Sequence, residues 1–449
     1  MNRHPASIGE LRLDAGDCVS TAANAPALPA APLSLAEAGL PRALVADLML
    51  KQVYLHGSRS GLELACDLRL KLRVIEPVLR ELIACGDLAG AINNGPAGAV
   101  LRFRLSPQGQ RQARQAFARC RYVGPAPVDL PTYTKVVRAQ SPRHLPVDRT
   151  QLRRMFAGIQ IRDALLESLG TVLADGHSLL LFGPGGNGKT MLADALGRGL
   201  RQFSPSILVP YALLAGKRLL TVFDPVIHES ISTTANPERL DPRWCAVRRP
   251  FIRIAAPDGL GAFEPREHAG AGYWSAAATL QANGGTLLID GLDDLAQART
   301  LADRWLTVLT TGSDRLPLDG DRGATVPWES LLVLTSRLRP DAIGRSIALR
   351  RVRHKLAIHP PTPDELAQVC QLVADRMNIS TEQLDLRNIF ATLYKPPRQP
   401  CRSDPQDLLE ITGAICRFRS QPHQVNAALL SEAAHRLFGD ESADVRVPA

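Results

Sequence analysis

The chain has 449 residues, of which 45% are apolar and 22% charged, and a formal net charge of +9 at neutral pH. That length holds two or three domains with sizeable cores, the composition is that of a soluble globular protein, and no apolar run approaches the roughly 20 residues that span a bilayer. The eight cysteines are scattered, with no C-x-x-C pair and no nearby Cys/His cluster, which predicts reduced thiols in a cytoplasmic protein and argues against zinc.

Residues 1–35 include the Ala/Pro-rich stretch TAANAPALPAAPLS and open on MNRHPASIGELRLDAGD, which lacks the apolar core of a signal peptide. They read as a disordered leader or tether. Residues 36–122 read as a small module. Helical spacing is seen over Pro41–Leu55, Ser60–Leu68 and Arg73–Cys85, followed by two strands around Asn93–Pro96 and a basic helix over Pro107–Arg121. Three helices and a β-wing are the order of a winged-helix-like α+β domain, whose third helix can face a major groove. Between Pro41 and Leu145 there are 16 Lys/Arg against 7 Asp/Glu, a surplus equal to that of the whole chain. Lys71, Arg73 and Arg80, with Arg102 and Arg104 on the wing, are the candidate DNA contacts. Glu76 and Glu81 oppose them, so a protein-docking role is favoured over DNA binding. Residues 123–148, bounded by Gly124–Pro127 and Ser141–Pro142, read as an extended linker.

From residue 149 the pattern alternates helix and strand, as in a parallel α/β domain. Its centre is the stretch LLLFGPGGNGKT, Leu179–Thr190. An apolar strand runs into Gly183, Pro184, Gly185, Gly186, Asn187, Gly188, Lys189 and Thr190, and a helix with apolar residues at helical spacing opens at Met191. This fits G-x-x-x-x-G-K-[ST] in the required strand–loop–helix context. Glycines let the backbone wrap an anion, and the helix N-terminus adds unpaired N–H groups. A nucleoside triphosphate is therefore the expected ligand, bound by residues 183–191, with Lys189 on the outer phosphates and the Thr190 hydroxyl on Mg2+. Ile207–Leu214 is expected as the second strand and Thr221–Phe223 as another. Gly285–Asp290 is a buried strand ending in an acid, Leu331–Thr335 one ending in hydroxyls, and Arg353–Ile358 the last. Asp290 is the second Mg2+ group. Past residue 361 four helices, over 363–377, 381–394, 404–417 and 424–438, form a small α domain to residue 440, with a tail at 441–449.

This succession resembles the AAA+ ATPases. NGGTLLID (Asn283–Asp290) is similar to the stretch in relatives with a helix-2 insertion, such as magnesium chelatases and bacterial enhancer-binding activators. Over residues 36–440, YVGPAP (Tyr122–Pro127), LFGPGGNGKT, VFDPV (Val222–Val226) and LRRVRHK (Leu349–Lys355) resemble an uncharacterised bacterial AAA+ family labelled predicted ATPases with chaperone activity. The resemblance implies an AAA+ P-loop parallel-sheet core over 149–360 with a helix-2-type insertion around 259–281, a C-terminal α-helical lid over 361–440, and the winged-helix-like domain before them. It further implies Lys189, Asp290 and Ser336 as catalytic groups, Ser336 standing at the polar sensor position. Arg350 or Arg351 is implied as a finger reaching a neighbouring subunit's nucleotide in a ring, commonly of six.

Three positions depart from that family. Gly291 replaces the acid that polarises water, Ser336 replaces an asparagine, and Gln406 stands where the lid arginine is expected. Asp293, Asp294 or Arg402 could compensate. The expectations are an assembling Mg2+-dependent ATPase that remodels or assembles a protein client, an ATP-gated scaffold that hydrolyses slowly or not at all, or a DNA-binding regulator. His268 and Tyr273–Trp274 lie in the insertion as a solvent-facing loop or a client contact.

Overall fold

The computed structural model describes residues 29–95, 98–232, 240–255, 260–294, 305, 307–317, 323–342, 350–381, 384–394, 398–422 and 425–439. The expected leader up to residue 28 and the tail at 441–449 lie outside them. The N-terminal elements are α1 (Leu35–Ala38), α2 (Arg42–His56), β1 (Arg59–Ser60), α3 (Gly61–Leu68), α4 (Leu72–Ala84), β2 (Leu88–Gly95), β3 (Gly98–Leu105) and α5 (Pro107–Arg119). Helix α3 opens on a capping box between Ser60 and Glu63. Helix α4 buries Val74, Ile75, Val78, Leu79 and Leu82, one apolar stripe at helical spacing. Strands β1, β3 and β2 form an antiparallel sheet in that order. Residues 29–35, expected as part of the leader, are not free of the fold: Ala30 bridges Leu240, and the Asp241 N–H donates to Pro29 O at 2.9 Å.

The stretch expected as an extended linker carries β4 (Val128–Asp129) and α6 (Leu130–Ala139). Asp129 caps the helix, Pro131 fits its first turn, and Tyr133, Val136 and Val137 are buried on one face. The flanking prolines hid a short amphipathic helix with proper start signals.

The next elements are α7 (Arg149–Met155), α8 (Asp163–Asp175), β5 (Ser178–Phe182), α9 (Lys189–Phe203), β6 (Ile207–Pro210), β7 (Ala212–Ala215), β8 (Arg218–Thr221), β9 (Trp244–Val247) and β10 (Phe251–Ala255). They are followed by β11 (Arg266–Glu267), β12 (Trp274–Ser275), α10 (Ala278–Gln281), β13 (Thr286–Asp290), β14 (Ser313–Leu316), β15 (Ala324–Pro327), β16 (Leu331–Ser336) and β17 (His354–Ala357). Helices α11 (Pro363–Arg376), α12 (Leu386–Leu393), α13 (Asp404–Phe418) and α14 (Ala427–Phe438) form a C-terminal bundle around Leu366, Cys370, Phe390, Leu408 and Leu430.

The central sheet has the order β10-β13-β16-β5-β17, and every pairing in it is parallel. Its three inner strands, β13, β16 and β5, are near-continuous apolar runs, as strands covered on both faces are. Leu179–Leu181, Leu287–Ile289 and Leu331–Leu334 are all buried. Strand β5, first of the five in sequence, lies between β16 and β17, so a crevice opens at the carboxyl ends of these strands. Helix α9 reaches the sheet through Gly197, where a Cβ would stand 2.4 Å from the Phe251 ring.

The expected second strand is corrected. Ile207–Leu214 breaks into β6, paired antiparallel with β9, and β7, paired antiparallel with β8; both are outside the central sheet. Pro210 ends the first piece, and the sheet's second strand is β10. The expected strand at Thr221–Phe223 ends at Thr221 instead. A second sheet, β11-β12-β8-β7-β4, gathers strands from the supposed linker, from the segment between α9 and β10, and from the insertion between β10 and β13. Trp274 of that insertion is buried in it, under the Arg218 guanidinium, so it is a core residue and not a client contact. Among the described residues no helix is long and apolar enough to cross a membrane.

One ion pair fastens the N-terminal elements to this second sheet. Arg243 and Asp241 are 2% and 1% exposed and meet at 2.7 Å. The same guanidinium donates to Pro127 O at 2.9 Å and to Ala38 O at 3.2 Å. Removing one partner of a buried pair leaves an uncompensated charge. We expect Asp241→Ala to lose about 3–5 kcal/mol of stability in denaturant unfolding, and the double variant with Arg243→Met to recover part of it. A loss below about 1 kcal/mol in the single variant would show that the pair is not holding this junction.

Candidate nucleotide site

Strand β5 delivers the chain to Gly183, whose φ is +142° and whose Cβ would stand 2.2 Å from Ile358 O. No side chain larger than glycine fits there. The loop ends at Gly188, which starts α9 with φ +82° and no side-chain cap. The first N–H groups of α9 are thus left for an anion. Lys189 Nζ donates to Gly183 O at 2.9 Å and Pro184 O at 2.8 Å, curled onto its own loop. Burial pushes its ammonium below the ordinary lysine range, with Asp293 and Asp290 acting the other way.

Asp290, at the end of β13, draws donors from three neighbouring elements. Its Oδ1 accepts from Thr190 Oγ1 at 2.7 Å and from Thr335 Oγ1 at 2.5 Å. Its Oδ2 accepts from Arg253 at 2.5 Å, and the same guanidinium reaches Asp194 of α9 at 3.2 Å. Burial alone would raise this carboxyl, but the two hydroxyls and the guanidinium outweigh it and hold it below its usual value. Arg253 had a signal in the sequence: it is the lone charge within the apolar strand FIRIA.

The sensor expectation divides between two residues. Ser336 is buried, donates to Leu292 O at 2.6 Å and accepts from the Leu338 N–H at 3.0 Å, so its hydroxyl is committed to the backbone. Thr335, one residue earlier, is the hydroxyl that meets Asp290 and also accepts from the Gly291 N–H. Gly291 has φ +79° with open space where a Cβ would be; an acid here would be strained by its backbone, not by its neighbours. Gln406 is exposed and donates to Glu410 of α13 at 2.9 Å. Arg402, the other candidate, is tied to Gln160 and lies 3.5 Å from Glu365. Asp293 holds Arg337 beside the loop.

Beside the loop lies a cavity of about 280 Å³ lined by Ile159, Ile161, Leu165, Met191, Leu356 and Ile358 with Asn187, Lys355 and Arg402. Asn187 is 1% exposed and its Nδ2 has no hydrogen-bond partner among the described residues, a donor awaiting an acceptor. The C-terminal bundle closes on the loop directly: the Ser403 N–H donates to Gly186 O at 3.0 Å and the Arg402 N–H to Asn187 Oδ1 at 3.3 Å. Arg350 and Arg351 are exposed and do not join this group. They precede β17, whose His354 is in register with Leu179 at the start of β5. They therefore stand at the amino end of the sheet, opposite the loop.

The residues fit a nucleotide with Mg2+. An uncapped helix start, an ammonium on a glycine-rich loop, a hydroxyl and a carboxylate 2.7 Å apart, and an orphaned amide in an apolar slot converge on one crevice. The low pKa of Asp290 gives a stability contribution that is present above the ordinary carboxylate range and lost as pH falls through the depressed value. We expect Arg253→Gln to shrink that depression, so that acid unfolding followed by circular dichroism begins at a higher pH than in the wild type. Coincident curves would count against the Arg253 contact.

Residues 362–436 match the family model of a domain of unknown function (DUF8689). No curated protein is significantly similar in sequence to the chain. Among solved structures the chain is similar to the RuvB Holliday junction branch migration motor of Thermotoga maritima, at 13% identity over 65% of this chain and 74% of that one, with a TM-score of 0.39. It is also similar to the AAA domain of FIGL-1 in complex with ADP, at 17% identity over 65% of this chain and 87% of that one, with a TM-score of 0.36. Both likenesses are distant. The phosphate loop after β5 and the parallel order β10-β13-β16-β5-β17 make the core an α/β P-loop fold of the AAA+ type.

Proposed function

We propose that the chain is an AAA+ ATP-binding protein that assembles with copies of itself and remodels or assembles a protein partner. The observation that carries the nucleotide reading is the 2.7 Å meeting of Thr190 and Asp290 at the uncapped start of α9. In this reading Lys189 would leave its loop carbonyls for the outer phosphates, and Thr190 with Asp290 would hold Mg2+. Mg2+ supplies charge neutralisation of the phosphates. The nucleoside lies in the slot between Ile159, Met191 and Ile358.

Slow turnover is favoured over fast. Gly291 offers no carboxylate, the Ser336 hydroxyl is held by Leu292 O, and Gln406 is bound to Glu410. Loss of one water-activating or charge-stabilising group costs about 10²-fold or more. Arg350 and Arg351 stand too far round the sheet to serve their own loop, which supports a finger acting on a neighbouring subunit.

The N-terminal elements have the order of a winged helix, and we read them as a protein-docking module. Arg80 meets Glu76 at 2.6 Å, Arg42 meets Glu81 at 3.4 Å, and Arg102 meets Glu63 at 2.9 Å. Basic groups already paired with carboxylates have less to offer a phosphate backbone. DNA binding remains the less favoured alternative.

Phosphate release across a protein concentration series tests the reading. We expect Mg2+-dependent release that rises per subunit with concentration, and Lys189→Ala to weaken ATP binding by about 10- to 100-fold, as loss of a charge-assisted contact does. A mixture of Lys189→Ala chains with chains carrying Arg350→Ala and Arg351→Ala should recover part of the activity each lacks. Tight ATP binding without release would establish the scaffold; release that survives Lys189→Ala would remove the proposal.

A further inference from the structure

A phosphate-loop lysine reaches the outer phosphates of a bound triphosphate, so the terminal-phosphate end lies within the swing of this side chain from the carbonyls that hold it. Here that ammonium is held by the Gly183 and Pro184 carbonyls. At the next residue the Arg337 side chain lies over the loop, its Cδ 3.7 Å from where a Cβ on Gly185 would stand. Arg337 follows β16 directly, and β16 is paired with β5. Its backbone is thereby carried on the strand next to the one that bears the loop.

Asp293 fixes the direction of this arginine. One carboxylate oxygen accepts the Arg337 N–H at 2.5 Å and the other accepts Nε–H at 2.7 Å. A guanidinium has five N–H donors in a planar fork. The grip on Nε leaves the four terminal donors without a partner among the described residues, and the side chain is 66% exposed. The other guanidinium groups near the loop are taken: Arg253 by Asp194 and Asp290, Arg402 by Gln160 and Glu365. Charge at the terminal end of the loop, which Ser336 and Gln406 do not provide, is available in this chain from Lys189 and Arg337.

We propose that Arg337 is a contact for the terminal phosphate made in cis, aimed by Asp293 as its positioning residue, and that it makes the site discriminate a nucleoside triphosphate from a diphosphate. This rests on the nucleotide reading above. An arginine suits the task because its fork can take two phosphate oxygens at once, where lysine offers a point charge.

The test is calorimetric titration of the full chain with Mg2+ and either ADP or the non-hydrolysable β,γ-imido analogue of ATP. We expect Arg337→Ala to weaken the triphosphate analogue by about tenfold or more while ADP stays within about twofold. Arg337→Lys should restore part of the preference. Asp293→Asn, which keeps the size but loses the charge that grips Nε, should fall between them. Equal weakening of both ligands would mean that Arg337 merely shapes the loop and would overturn the proposal, as would an unchanged ratio. An Asp293→Asn ratio equal to wild type would overturn the positioning role. A wild-type chain that binds neither ligand would overturn the nucleotide reading itself, an outcome distinct from both.

Discussion

The carboxylate of Asp290 is the point on which the rest of the site depends. It ends the middle strand of three, and its donors come from α9 through Thr190, from β16 through Thr335 and from β10 through Arg253. Each of these groups is carried by an element that the parallel register already brings alongside. A buried carboxylate without donors would be driven towards neutrality. Saturated in this way, it stays charged and ties the start of the phosphate-loop helix to the sheet beneath it.

Around this core the chain has built a second body. The supposed linker, the segment between α9 and β10, and the insertion between β10 and β13 combine into one sheet. The N-terminal elements dock on it through the Arg243–Asp241 pair and through Arg69, whose guanidinium lies 4.3 Å from the centre of the Tyr211 ring. The insertion in this sheet joins the strand that carries Arg253 to the strand that carries Asp290.

The departures from the resembling family have separate physical causes. Gly291 relieves a backbone turn at positive φ, and its N–H is used by Thr335. Ser336 is too short to reach past its own backbone partners. Gln406 prefers its neighbour four residues on along α13. Two guanidinium groups beside the loop are held by carboxylates: Arg253 by Asp290 and Arg337 by Asp293.

The phosphate loop, Asp290, the strands around them and the four C-terminal helices were legible in the sequence because each is local. Their periodicity, glycines and terminal acid lie within a few residues of one another. Helix α6 was legible too, in its Asp129 cap and its Tyr133, Val136, Val137 face, but proline-rich flanks masked it. Only the tertiary structure could decide that Ile207–Leu214 leaves the central sheet and β10 enters it, since an apolar run of that length suits either place. Only it could separate Thr335 from Ser336, because adjacent residues on a strand face opposite ways and the pattern does not say which faces the acid. The pairing of Arg253 with Asp290, 37 residues apart, and of Arg337 with Asp293, 44 apart, follows from strand order. Sequence determined the chemistry this chain carries; the order of its parallel strands determined which of those groups meet.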